Sequence, residues 1–322
     1  MPVIQSSYKA PLLVRNGQFA TIYSGLFRNV NGVIQQRERM ELPDGDFLDL
    51  DWSYAAKSTD KLIIILHGLE GNAQRPYMLG AAKYFNTKVY DTVCVNFRGC
   101  SGEQNMKYRS YHSGVTEDLE AIIAHVLKME KYKGLYLKGF SLGGNVILKY
   151  LGEREMFPKE LKAGVAVSVP CSLGGSCVEL HKLKNIHYHE RFKRHLLGRL
   201  REKSIRFPDR IDKKSIESIK TLKDFDDVYT SKAHGFRDAD DYYTRCSSLQ
   251  FLSNIRIPSL VLNAKNDSFL SPDCYPIDIA VKNKNLFLEM PEHGGHVGFI
   301  QNNEFYYNEK RTLDFFEDRT FI

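Results

Sequence analysis

The chain has 322 residues, 43% of them hydrophobic and 26% charged, enough for a sizeable core in one large α/β domain or two smaller ones. Its formal charge of +6 is local: residues 181–206 hold nine Lys or Arg against Glu190 and Glu202, a net +7 that leaves −1 for the rest, which argues against a nucleic-acid surface spread over the protein. The longest apolar run, 62–66, is far too short to span a bilayer; the opening residues lack a signal-peptide pattern; and none of the six cysteines has C-x-x-C spacing, so a reducing cytoplasm without disulfides or zinc is expected.

Residues 33–42 and 47–52 alternate polar and apolar around Pro43-Asp44-Gly45, which predicts an antiparallel hairpin. Buried strands then follow at 62–66, 92–97, 135–138, 163–169, 259–263 and 286–290. Helices are predicted between them near 77–86, 115–131, 143–155 and 271–283, with a last one at 304–319. Apolar strands alternating with helices specify a mostly parallel sheet covered on both faces, and one antiparallel hairpin leading into it is the order of an α/β hydrolase. The stretch between 163–169 and 259–263 is too long for a simple crossover. It holds the basic helix, a polar run and an aromatic end (Phe236, Tyr242, Tyr243), and neither flank reads as a flexible linker. The expectation is a single domain, 1–322, with a helical cap inserted at 171–250.

The chemistry centres on LYLKGFSLGGNVILKY, residues 135–150. An apolar strand turns abruptly through Gly139-Phe140-Ser141-Leu142-Gly143 into helical periodicity, the G-x-S-x-G nucleophile elbow. Gly139 and Gly143 let strand and helix approach without Cβ clashes, so Ser141 Oγ stands clear of the sheet. The Leu142 amide then lies at a helix N-terminus, where it can donate to an oxyanion. His67-Gly68-Leu69-Glu70-Gly71, after the strand at 62–66, offers the Leu69 amide as second donor; His67, which precedes the nucleophile, is expected to orient this loop.

In this fold the acid follows the nucleophile and the histidine comes last. Asp267 follows the strand at 259–263 and is favoured over Asp273 and Asp278; its carboxylate would hold the imidazole in one tautomer. After 286–290 come His293 and His296, and Gly294-Gly295 give His296 the freedom to turn towards Ser141. Arg98 lies on the same edge, either to bind an acidic substrate group or, the favoured reading, to hold the loop or pair with Glu117 or Asp118, and Cys100 reads as a small packed residue. His187-x-His189 lacks a third metal ligand. Neither a metal nor a cofactor is called for.

Several further stretches carry a resemblance. HGLEGNAQRPYM (67–78), NFRGCSG (96–102), YHSGVTEDL (111–119), GFSLGGN (139–145), FDD (225–227), HGF (234–236) and GGHVGF (294–299) resemble the YheT-like α/β hydrolases, in order, from about residue 60 to 300. These are related to yeast medium-chain ester synthases/esterases. The resemblance implies a capped α/β hydrolase with a serine triad on Ser141, Asp267 and His296. The family's Asp-Asp-Pro-Phe around the acid reads Asn266-Asp267-Ser268-Phe269 here, keeping the acid and losing the proline. Implied activities are hydrolysis of short- to medium-chain carboxylic esters, lipase or phospholipase action, and acyl transfer to alcohols. No histidine is followed five residues on by Asp, so an acyl transferase would also have to use the triad. The expected partner is a small-molecule or lipid ester. The basic helix leaves three readings open: a solvated face, a peripheral contact with anionic membrane through 181–206, or a protein partner. Oligomeric state is left open.

Overall fold

The computed structural model describes residues 2–318. Its strands and helices run, in chain order, β1 (Val3–Ile4), α1 (Gly17–Leu26), β2 (Gln36–Glu41), β3 (Phe47–Ser53), β4 (Lys61–Leu66), α2 (Pro76–Thr87), β5 (Asp91–Asn96), α3 (Thr116–Leu127), β6 (Gly134–Phe140), α4 (Leu142–Glu153) and β7 (Leu161–Val167). A helical stretch follows: α5 (Leu173–His181), α6 (Ile186–Arg206), α7 (Lys213–Ser218), α8 (Leu222–Phe225), a π-helical turn Asp226–Thr230, α9 (Ser231–His234) and α10 (Ala239–Cys246). The chain ends with β8 (Ser259–Leu262), α11 (Ile277–Lys282), β9 (Leu286–Glu289) and α12 (Tyr307–Glu317).

The nine strands form one sheet in the order β1-β9-β8-β7-β6-β4-β5-β3-β2, parallel except where β3 meets β2 and β5. Because side chains alternate across a strand, β4 feeds both faces: Leu62, Ile64 and Leu66 enter one apolar core with α3 and α4, while Ile63 and Ile65 enter the other with α2 and α12. The order reverses at β4, which lies between β5 and β6, so a crevice opens at the carboxyl ends of these strands.

The hairpin closes between β2 and β3, where Gly45 takes a positive φ of 76° and the Leu42 amide donates to the Asp46 carbonyl at 2.8 Å. The expected helix at 271–283 is shorter than its apolar pattern. A 3₁₀ turn at Pro272–Cys274 comes first, and Pro276, which cannot continue a helical ladder, separates it from α11. The last helix stops at Glu317; position 319 of its expected span lies outside the described residues. Among the described residues no helix is long and apolar enough to cross a membrane.

Two elements were not anticipated. β1 pairs in parallel with β9, and α1 opens with the Asn16 side chain accepting from the Phe19 amide at 3.0 Å. Just beyond α1, buried Arg28 pairs with Glu309 of α12 at 2.6 Å and stacks over Tyr306, which ties the N-terminal segment to the body. The helices between β7 and β8 bury apolar residues of their own in two groups: Leu173, Cys177, Leu222, Tyr242 and Tyr243, and Leu197, Leu200, Ile216, Phe225 and Tyr229.

Candidate active site

Ser141 joins β6 to α4 at φ 52° and ψ −119°, a backbone conformation that side-chain-bearing residues rarely adopt. The glycines beside it explain why the turn closes. A Cβ on Gly143 would lie 2.6 Å from the Leu66 carbonyl oxygen, and one on Gly139 would collide with the backbone of Gly143. Asn145, one turn into α4, fixes the helix further. Its amide nitrogen donates to the carbonyls of Ser113 (2.7 Å) and Cys246 (2.8 Å), and its oxygen accepts from the Ser248 amide at 2.9 Å.

His296 Nε2 lies 2.9 Å from Ser141 Oγ, and His296 Nδ1 lies 2.8 Å from Asp267 Oδ2. An ionised carboxylate can only accept, so Nδ1 carries the proton and Nε2 is left to accept from the serine hydroxyl. The Asp267 side chain is fully buried and that of His296 is 11% exposed, so the pair is largely shielded from water. Three residues from separate segments of the chain, His296 lying 155 positions from Ser141 and 29 from Asp267, thus meet at the ends of β6, β8 and β9. Asp273 and Asp278 are exposed elsewhere, and His293 is not part of this chain of contacts.

The loop carrying His296 is held from several sides. Thr21 Oγ1 on α1 accepts from the His296 amide (2.8 Å), Asn266 Oδ1 from the Gly295 amide (2.9 Å), and Ser168 Oγ from the Val297 amide (2.8 Å). Phe269 stacks on the imidazole with ring centroids 4.3 Å apart. None of these supports was read from the sequence; the one signal for α1 was Asn16 as a helix N-cap.

On the opposite side, the Gly68 amide donates to Tyr77 Oη (3.2 Å), the Glu70 amide to Tyr111 Oη (2.9 Å) and the Gly71 amide to the Gly68 carbonyl (3.0 Å). Among the described residues nothing takes the Leu69 or Leu142 amide, which leaves both free for a ligand. His67 is wholly buried. Its Nδ1 faces the Gly68 carbonyl at 2.7 Å, its Nε2 accepts from the Phe97 amide at 3.2 Å, and burial lowers its pKa to about 3. A neutral imidazole with both nitrogens engaged holds the loop and is not a base for Ser141.

Two cavities meet at Ser141 and His296. The first, about 150 Å³, runs under the helices between β7 and β8 and is mostly apolar, with Leu142, Leu173, Phe192, Leu196 and Phe225 on its walls. Asp226 interrupts that lining: burial raises its carboxyl to about 6, and Tyr243 Oη donates to it at 2.6 Å. The second, about 140 Å³, lies between α1 and the first half of α6.

Arg98 is buried in a carboxylate cluster, bound through two nitrogens to Asp118 (2.8 and 2.6 Å) and reaching Asp44 (2.8 Å) and Asp46 (3.1 Å). It therefore holds the loop and is not free for substrate. Cys100 is buried with its thiol pushed up to about 11, chiefly by burial. His189 Nε2 accepts from the Leu222 amide at 3.3 Å. Among the described residues no group of three His, Cys, Asp or Glu could hold a metal ion. The basic helix α6 turns several of its charges inward: Arg199 faces Glu70 at 3.2 Å, Lys203 Nζ donates to Asn105 Oδ1 at 2.8 Å, and Arg206 donates to the Asn105 carbonyl at 2.9 Å.

The profile of a family described by its alpha/beta hydrolase fold matches residues 61–303. YheT of Escherichia coli, provisionally named an esterase, is 33% identical over 293 residues, 88% of this chain and 84% of its own. Phospholipase ABHD3 of Bos taurus is 29% identical over 309 residues, 93% of this chain and 75% of its own. Among solved structures, an esterase of Pyrococcus furiosus superposes with a TM-score of 0.59 over 88% of this chain and 90% of its own, at 19% identity, which speaks to the fold alone. The chain belongs to the α/β hydrolase family, in its YheT and ABHD3 branch, and is a hydrolase of the esterase/lipase type.

Proposed function

We propose that the chain hydrolyses carboxylic esters with short to medium acyl chains through an acyl-enzyme on Ser141. The observation that carries this reading is the unbroken line from Asp267 through His296 to Ser141, at 2.8 and 2.9 Å. His296 takes the hydroxyl proton through Nε2 as Oγ attacks the ester carbonyl. The Leu69 and Leu142 amides hold the oxyanion, and Asp267 steadies the imidazolium through Nδ1. His296 then hands its proton to the leaving alkoxide; water, activated by the same imidazole, attacks the acyl carbon and frees the acid. The acyl chain occupies the apolar cavity under the inserted helices, which act as a cap. The relatives named an esterase and a phospholipase support an ester as substrate.

Rates on p-nitrophenyl esters from acetate to palmitate test this. Activity should peak below decanoate and vanish in Ser141→Ala. Folded wild type that hydrolyses none of them, or a Ser141→Ala variant of undiminished rate, contradicts it. Acyl transfer by the same acyl-enzyme is the alternative, and ester products formed in added ethanol or glycerol would identify it.

One observation favours a lipid-borne ester. On α1 and just after it Phe19, Ile22, Leu26 and Phe27 are exposed, and on α6 Arg194 and Arg201 are exposed and, among the described residues, have no ion-pair partner. An anionic lipid surface fits both, and binding to phosphatidylglycerol vesicles should weaken steeply with added salt.

A further inference from the structure

The two cavities share Leu69, Glu70, Ser141, Phe192, Phe269 and His296. An ester sends two substituents away from its carbonyl carbon, so a nucleophile at a junction of two arms has one for each. The first arm is mostly apolar and suits the acyl chain. The second is apolar over most of its lining too, with Ile22, Leu26 and Phe192 among its walls, but three of its residues, Arg75, Arg191 and His195, are potential cations.

The charges of this second arm are unbalanced. Its one carboxylate, Glu70, is turned to other partners: Oε1 accepts from Tyr111 Oη at 2.9 Å, and Oε2, which makes no hydrogen bond among the described residues, lies 3.2 Å from Arg199 Nε. Arg75 spends one nitrogen on the Glu70 carbonyl at 2.9 Å and, among the described residues, meets no carboxylate. Arg191, half-buried on the cleft side of α6, has no carboxylate partner among them either. Burial first, and then Arg75 and Arg194, lower its pKa. Elsewhere on the helix the half-buried and buried cations are matched. Lys193 reaches Glu190 at 2.8 Å, Arg199 reaches Glu70, and Lys203 reaches polar atoms of the Asn105 loop. Among the described residues Arg194 and Arg201 have no ion-pair partner, but both stand in water, where an unpaired charge costs little. Two guanidinium groups facing one cleft without a counter-ion are unfavourable until an anion enters, and a guanidinium presents its donors in a fork that fits phosphate or carboxylate oxygens.

We infer that this arm is a subsite for an anionic group, a phosphate or carboxylate, on the alcohol side of the scissile ester, gripped by Arg191 and Arg75. The inference rests on the esterase reading above, and it narrows the substrate from any short ester to one whose alcohol carries negative charge.

The test compares kcat/KM on two esters that differ only in that charge, monobutyryl glycerol and monobutyryl glycerol 3-phosphate. Wild type should prefer the phosphate, and the preference should fall by about tenfold or more in Arg191→Gln, the loss expected for one charge-assisted contact. Arg191→Lys should keep part of it. Glycerol 3-phosphate should raise the KM for p-nitrophenyl butyrate in wild type, with kcat unmoved, and do so much less in Arg191→Gln. Vesicles of phosphatidylglycerol run beside the soluble ester separate a lipid headgroup from a free phosphate ester; a rate that drops in the variant in either arm supports the subsite. A preference and an inhibition that are the same in wild type and Arg191→Gln overturn it while the esterase stands. Failure of folded wild type on p-nitrophenyl butyrate as well overturns the esterase reading, and the subsite falls with it.

Discussion

The elbow at Ser141 and the loop at His296 bring their side chains to the same point by opposite means. At the elbow the constraint is steric and close at hand: Gly139 and Gly143 touch across one turn, and Gly143 presses on the Leu66 carbonyl of the neighbouring strand. The histidine loop takes positive φ at Gly294, Gly295, Val297 and Phe299, yet it is held by side chains from α1, from the end of β7 and from the turn after β8. Damage to the elbow should therefore be abrupt, and damage to the loop graded, because each of its supports carries only part of the load.

The largest effects test the point where the two regions meet. His296→Ala should lower kcat by roughly 10³-fold or more with the fold intact, as loss of a triad member does elsewhere. Circular dichroism alongside the rate separates lost chemistry from lost structure.

Next comes the elbow alone. Gly143→Val places atoms against backbone that has nowhere to move, and should cost about 3 kcal/mol or more, read as a lower urea midpoint or as failure to fold. A variant with wild-type stability would contradict the steric account.

The elbow side also carries a titratable wedge. His67 has a folded pKa of about 3, below its ordinary value, because burial opposes its charge; His112, also buried, is lowered in the same sense, with His234 adding to the effect. Between about pH 6.5 and pH 3 the unfolded chain binds protons that the native chain refuses. Stability from these groups is thus present above the unfolded value and lost as pH falls, by on the order of 1 kcal/mol per pH unit for each histidine. Urea midpoints measured at about pH 7 and about pH 5 check the sign, since a midpoint that rises on acidification contradicts it.

The smallest effect belongs to the loop. Thr21→Val removes the acceptor for the His296 amide without touching Ser141, so kcat should fall by roughly tenfold, in line with one lost buried hydrogen bond. Thr21→Ser should restore most of it. A fall in KM alone, or no change at all, would show that α1 does not position the base.

The same contrast explains what could be read from the sequence. The elbow was legible because its cause lies within a few residues, and the apolar strands were legible because burial on both faces leaves near-continuous runs such as 62–66. Strand order then located Asp267 and His296 without any knowledge of what holds them. α1 was not legible: its apolar residues Phe19, Ile22 and Leu26 stay exposed, so no core-facing stripe announces it. Pro276 shortened an expected helix for a local reason that was in plain view. The basic helix misled in another way. Its charge could be counted, but whether Arg199, Lys203 and Arg191 face Glu70, Asn105 or the cleft depends on chain packed from far away.

The central claim is that Ser141 becomes an acyl carrier because His296, held by Asp267, removes its proton. Reaction with a fluorophosphonate, followed by intact-protein mass and peptide mapping, tests it most directly. The account predicts one adduct per chain, on Ser141, absent in Ser141→Ala and strongly slowed in His296→Ala. Folded protein that stays unlabelled, or that takes the adduct at another residue, contradicts it.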